Sequence, residues 1–166
     1  MMDGARTNRD VADSTAHLVV MWGHEAAVAY DGPAALHKAE TRPPDVGLLD
    51  IGMPGMDGYT LVGHLRQQQP AGWFTAFVAI TAYSAPEVQR RCTAAGFDLH
   101  LVKPVSPALL KHALDTIVTA RELFQKAAGA VLRDGELQRE GHRLRAGLRE
   151  EMQRFGLSLG GAASVR

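Results

Sequence analysis

Short apolar runs separated by amphipathic stretches set the rhythm of this chain. Val46-Gly47-Leu48-Leu49, Phe77-Val78-Ala79-Ile80 and Leu99-His100-Leu101-Val102 have strand length and strand composition. Ala26 to Tyr30 reads as a further short strand, with Asp31-Gly32-Pro33 as its turn. Between these runs the apolar positions follow helical spacing. Asn8 to Trp22 carries Val11, Leu18, Val19 and Trp22, with Asn8 or Asp10 as a cap and Gly23 as a stop. Ala34 to Glu40 is halted by Pro43-Pro44, and Gly58 to Gln69 sets Leu61, Val62 and Leu65 on one face before Pro70. Ala85 to Ala95 closes at Gly96, and a last helix opens at Ser106-Pro107, a cap followed by a first-turn proline. Alternating strands and helices predict an α/β fold, a parallel sheet with helices on both faces.

Three of the runs end in polar groups: Asp50, Thr81 and Lys103. In an open parallel sheet the carboxyl ends of the strands are where ligands and chemistry collect. Each residue has a plainer reading: Asp50 as the cap of the following Gly/Pro turn, Thr81 as an ordinary strand end, Lys103 as a solvated charge. The Lys103-Pro104 step is more directive, because proline holds the preceding residue extended. If the strands are parallel and adjacent, a carboxylate, a hydroxyl and an ammonium converge into a site for an oxyanion such as a phosphoryl group.

The segments LLDIGMPGMDGY, VAITAYS and AGFDLHLVKPVSP resemble the receiver domain of two-component response regulators. The similarity runs from about Asn8 to about Ala120 and includes NRDVADS, WGHEAAVAYDGPAAL and RPPDV in the same order. The resemblance implies a flavodoxin-like doubly wound sheet of strand order 2-1-3-4-5. It implies a phosphoacceptor at Asp50, a phosphoryl-sensing hydroxyl at Thr81 and a charge partner at Lys103. The active-site loop positions would be Gly52, Pro54, Asp57, Gly58, Ala82 and Pro104. His100 falls at the switch position, where the family usually has Tyr or Phe. An imidazole there would make the switch sensitive to pH near neutrality.

The beginning of the chain departs from that pattern. Receiver domains usually open with an apolar strand ending in two acidic residues, and the alignment places Arg6 and Thr7 at those positions. The first strand would be Met1-Met2-Asp3-Gly4-Ala5, a poor strand former, so the strand is expected to be weak or missing. The family's Mg²⁺ would keep only the Asp50 carboxylate and the Gly52 carbonyl, an incomplete site for an ion that wants near-octahedral oxygen ligation. Arg6 could act instead as a guanidinium clamp on the phosphoryl group. Two expectations compete: a receiver whose start is truncated or misassigned, or a receiver-like module that binds partners without phosphorylation.

Composition narrows the setting. The chain has 166 residues and no net charge, so no strong field draws it to nucleic acid or membrane. The balance is uneven: the first 120 residues are net acidic and the remainder equally net basic. A lone cysteine, Cys92, rules out an internal disulfide and suits a reducing cytoplasm. No stretch approaches the ~18 apolar residues of a membrane span. The reading is therefore a cytoplasmic receiver over residues 1–120 with a histidine kinase or phosphotransfer protein as partner, followed by a tail over residues 121–166.

In that tail Leu137, Leu144, Leu148, Met152 and Phe155 form an apolar stripe interrupted by Gly129, Gly135, Gly141 and Gly147. A partly ordered amphipathic helix is expected, packed on the domain or on a second copy of the chain. It lacks a convincing helix-turn-helix unit, so nucleic-acid binding is not expected. His142-Arg143-Leu144-Arg145-Ala146-Gly147 loosely resembles the pattern of histidine phosphotransfer domains, although a lone His among arginines is more often solvated. A haloacid-dehalogenase-type phosphatase would need a second Asp two residues after the first, where this chain has Gly52. No P-loop or dinucleotide fingerprint occurs, and the other histidines are too scattered for a metal site. An enzyme is not expected.

Overall fold

A computed structural model describes residues 4–130 and 134–154. The elements run α1 (Gly4–Met21), α2 (Gly32–Thr41), β1 (Val46–Asp50), α3 (Gly58–Gln68), β2 (Ala76–Thr81), α4 (Pro86–Ala95), β3 (Leu99–Val102), α5 (Pro107–Gly129) and α6 (Asp134–Arg154). The three strands form one parallel sheet in the order β1-β2-β3. This sheet is the third, fourth and fifth strands of the expected flavodoxin-like order.

Side-chain alternation divides the core between two faces. Ala76, Val78, Leu99 and Leu101 join Leu110, Ala113, Leu114 and Ile117 of α5 on one face. Phe77 and Ala79 join Leu61, Val62 and Leu65 of α3 with Cys92 and Phe97 on the other. Side-chain caps fix three helix starts. Asp31 accepts from the Ala34 N–H at 2.8 Å, Asp57 from Thr60 at 2.7 Å and Ser106 from Leu109 at 3.2 Å. Gly96, at φ 114, ends α4 in the left-handed conformation that glycine adopts without penalty.

The amino-terminal part corrects the sequence reading. Gly4 and Ala5, expected in a first strand, begin α1, and Arg6 and Thr7 follow in the same helix rather than at a strand end. Met1 to Asp3 and the side chains of Arg6 and Thr7 lie outside the described residues. Ala26 to Tyr30, expected as a strand, enters no ladder among the described residues. The reason is pairwise: an extended run becomes a strand only beside another, and its expected neighbour is helical where described. The burial follows suit. Residues of β2 and β3 are nearly all buried, whereas all five of β1 are half-buried.

The carboxyl-terminal helices pack onto this frame. Helix α5 runs unbroken through position 120 to Gly129, and α6 returns against it, burying Leu144, Leu148 and Met152 in the α5 face of the core. Phe155, the last residue of the expected stripe, lies outside the described residues. Ions reinforce the apolar contact. Asp98, 3% exposed, accepts from the Phe77 N–H at 2.8 Å and from Arg66 at 2.5 Å. Arg145 of α6 brings its Nε to 3.2 Å from the other carboxylate oxygen, and Arg149 donates to the Asp98 carbonyl at 3.2 Å. Burial pushes the Arg145 guanidinium below its usual pKa range, and the Asp98 charge opposes that shift.

Candidate functional site

The register brings the three polar strand ends to one rim. Asp50 pairs with Ile80, one residue before Thr81, and Thr81 pairs with Val102, one residue before Lys103. The Lys103 N–H continues the ladder, donating to the Thr81 carbonyl at 2.8 Å. Lys103 Nζ donates to Asp50 Oδ2 at 2.6 Å, and the Gly52 N–H donates to Asp50 Oδ1 at 2.9 Å. The two charged side chains are 25% and 34% exposed, open enough for an incoming group yet sheltered from full screening. Thr81 is 3% exposed, and its hydroxyl accepts from the Tyr83 N–H at 3.1 Å. The Lys103–Pro104 peptide bond is cis.

The loop over the rim is held by small residues. Gly55 takes φ 80. The Gly58 N–H donates to the Ile51 carbonyl at 3.2 Å, closing the loop back onto the strand end. A side chain at Gly58 would place Cβ 2.7 Å from the Asp50 carbonyl oxygen and 2.8 Å from the Ile51 Cα. Asp57 caps α3, and the hydrogen bonds from Thr60 hold its carboxyl below the usual carboxylate range. Its carboxylate is thereby committed to the helix end.

His100 lies apart from the charged pair. It sits opposite Ala79 in the ladder, is 5% exposed, and neither ring nitrogen has a hydrogen-bond partner. Burial pushes the imidazole below its ordinary 6.5, opposed in part by the Tyr83 backbone. Titration expected near neutrality therefore moves to lower pH. The unfolded chain takes up the proton first, so stability is full above about pH 6.5 and falls as pH drops below it towards the folded pKa. His100→Phe should remove this acid-side loss and the two orphaned nitrogens together. We expect a gain of about 1–2 kcal/mol at neutral pH and a larger gain near pH 5.5, read from paired urea unfolding curves.

Residues 6–115 match the response regulator receiver domain. The chain belongs to that family. Sensor histidine kinase RcsC of Salmonella typhimurium is 37% identical over 92 residues, 55% of this chain and 9% of that protein. Transcriptional regulatory protein KdpE of Mycobacterium tuberculosis is 33% identical over 108 residues, 62% of this chain and 46% of that one. The chain thus spans less than half the length of these curated relatives. Among solved structures, chemotaxis protein CheY4 of Vibrio cholerae is 31% identical with a TM-score of 0.61, covering 65% of this chain and 89% of that chain. A CheY-like receiver domain from Methanospirillum hungatei gives a TM-score of 0.63 at 25% identity, covering 69% of this chain and 89% of that chain.

Receiver domains are signalling modules, generally not enzymes, and they typically use Mg²⁺. The described residues of this rim do not fit that ion. Among the described residues no group of three Asp, Glu, His or Cys side chains comes together, and the Asp50 oxygens are engaged by Lys103 and the Gly52 N–H. One carboxylate and main-chain carbonyls fall short of the oxygen set the ion requires.

Sequence reasoning did not find the Asp98 cluster. Its members are scattered over α3, the turn between α4 and β3, and α6, and no local pattern links residues 66, 98, 145 and 149.

Proposed function

We propose that this receiver accepts a phosphoryl group on Asp50 from a histidine kinase or phosphotransfer protein in the cytoplasm. The observation that carries the reading is the 2.6 Å contact between Lys103 Nζ and Asp50 Oδ2 at the common strand rim. An Asp50 oxygen attacks phosphorus, the phosphorus–nitrogen bond of the donor breaks, and the leaving imidazole takes a proton. Lys103 exchanges its carboxylate partner for the phosphoryl oxygens, and the Gly52 N–H holds the second Asp50 oxygen in line. Phosphoryl transfer needs little beyond this positioning and charge neutralisation. The Thr81 hydroxyl then leaves Tyr83 for the phosphoryl group, and His100 repacks behind it. The face affected is α4, β3 and α5, a two-state element biased by local charge. The receiver module covers residues 1–120, with the end of α5 and α6 as its appendage.

The donor set at the rim supports a second reading, a receiver-like module that binds partners without phosphorylation. A small phosphodonor, supplied with and without divalent cations and followed by intact-mass measurement, separates the two. We expect the mass of one phosphoryl group to be added to the parent chain and nothing to be added to Asp50→Asn. No addition under any cation supports the second reading.

A further inference from the structure

His100 is a buried polar group for which packing alone gives no reason. An apolar side chain would fill its place without leaving two ring nitrogens unsatisfied. The ladder sets it opposite Ala79, and strand alternation puts Ala79 and Thr81 on one face, so imidazole and hydroxyl share a side of the sheet. Their link is Tyr83. Its N–H donates to Thr81 Oγ1 at 3.1 Å, and its main chain also lies beside the His100 ring, where it favours the protonated form. Residues 82–84 belong to neither β2 nor α4, and the Tyr83 side chain is 70% exposed. The residue is therefore held by its backbone contacts rather than by packing.

The other ionisable groups on this side of the sheet are occupied or stay neutral in acid. Asp98, two positions earlier in the chain, gives its carboxylate to Arg66, Arg145 and the Phe77 N–H. Tyr59 of α3 and Cys92 of α4 pack on the same face, and burial pushes the pKa of both upward. The Arg91 guanidinium stacks on the Tyr59 ring, 4.1 Å from its centroid. Asp57 caps α3, and Asp50 and Lys103 pair with each other at the rim.

We propose that His100 is a positioning residue for the Thr81 hydroxyl and acts through the main chain of Tyr83. With the ring neutral, the Tyr83 N–H stays on Thr81 and the hydroxyl is committed. A proton on the ring makes a buried cation that needs an acceptor, and the Tyr83 main chain is at hand to supply its carbonyl. Turning that carbonyl to the ring draws the Tyr83 N–H off Thr81 and frees the hydroxyl for a phosphoryl oxygen. The coupling is reciprocal: a phosphoryl group that draws Thr81 away releases Tyr83 to the ring and favours its protonation. Acid therefore favours the phosphorylated form. That consequence rests on Asp50 being the phosphoacceptor, whereas the link from ring to Tyr83 to Thr81 does not.

Two measurements on the full chain test this, each made on the parent and on His100→Phe. The first needs no phosphoryl group: NMR follows the His100 ring and the Tyr83 amide from about pH 7.5 to about pH 5. The Tyr83 amide should shift with the same midpoint as the ring, and in His100→Phe it should hold still. The second adds a small phosphodonor, with divalent cations, at a level that labels a minority of the chains, and reads intact mass. The ratio of phosphorylated parent to phosphorylated His100→Phe, which cancels the donor's own pH dependence, should rise about fivefold over the same interval, the low end for coupled sites. Three results would overturn the proposal: a Tyr83 amide that ignores the ring's titration, a ring that takes up no proton while the chain stays folded, or a flat ratio. A Tyr83 amide that follows the ring while no phosphoryl mass is added at any pH would uphold the link and remove Asp50 as the phosphoacceptor.

Discussion

Asp98→Ala is expected to cost about 3–5 kcal/mol of stability, the range for removing one member of a buried ion pair. The carboxylate side chain is only 2% exposed, so solvent offers little relief. Its loss leaves the Phe77 N–H without its 2.8 Å acceptor and leaves Arg66 and Arg145 facing each other without the intervening negative charge. Arg66 retains the carbonyls of Gly96 and Thr75, whereas Arg145 keeps mainly its stacking on the Phe74 ring, 4.6 Å from the centroid. The damage should therefore concentrate on α6. Urea unfolding measures the loss, and limited trypsin digestion reads the release of residues 134–154. Asp98→Asn, which keeps an acceptor for Phe77 but no charge, should fall between the two. A loss under about 1 kcal/mol, the scale of an exposed pair, would mean that the cluster is not holding the helix.

Gly58→Ala should destabilise by about 2–3 kcal/mol, against the roughly 1 kcal/mol that alanine normally gains over glycine inside a helix. The sign reverses because the new Cβ meets the Asp50 carbonyl oxygen at 2.7 Å and the Ile51 Cα at 2.8 Å. Both are backbone atoms, and neither can swing aside as a flexible side chain would. Relief requires the strand end and loop to separate, which would also displace Asp50 from Lys103. Gly63 offers the control, since a Cβ there meets nothing within 4 Å and alanine should stabilise α3. Thermal unfolding of the two variants side by side checks the contrast.

The central fold and the rim were legible because their signals are local. An apolar run ending in a polar residue identified β1, β2 and β3, and the cap residue Ser106 marked a helix start within the chain itself. Lys103 and Asp50 are 53 residues apart, yet parallel neighbouring strands were enough to bring them together. Ala26 to Tyr30 shows where such reading fails. Its composition suits a strand, but strand formation depends on a neighbour, and α1 takes up the residues expected to provide one from Gly4 onward. His100 was read from the sequence on the last strand, which is where β3 holds it, but its depth was not visible. A single polar residue between Leu99 and Leu101 reads equally well as half-exposed, and only the packing determines the direction in which its proton affinity moves.

The continuity of α5 across position 120 bears on how this chain can be divided or joined to others. A junction cut at that point would sever a helix in mid-turn, at a buried alanine, and take away Phe124, whose ring lies 5.3 Å from that of Phe74, together with the α6 residues of the same core. A receiver shortened there would present a sticky apolar patch around Phe74, prone to clumping for reasons unrelated to signalling. Attachments made beyond Arg154 would spare that seam.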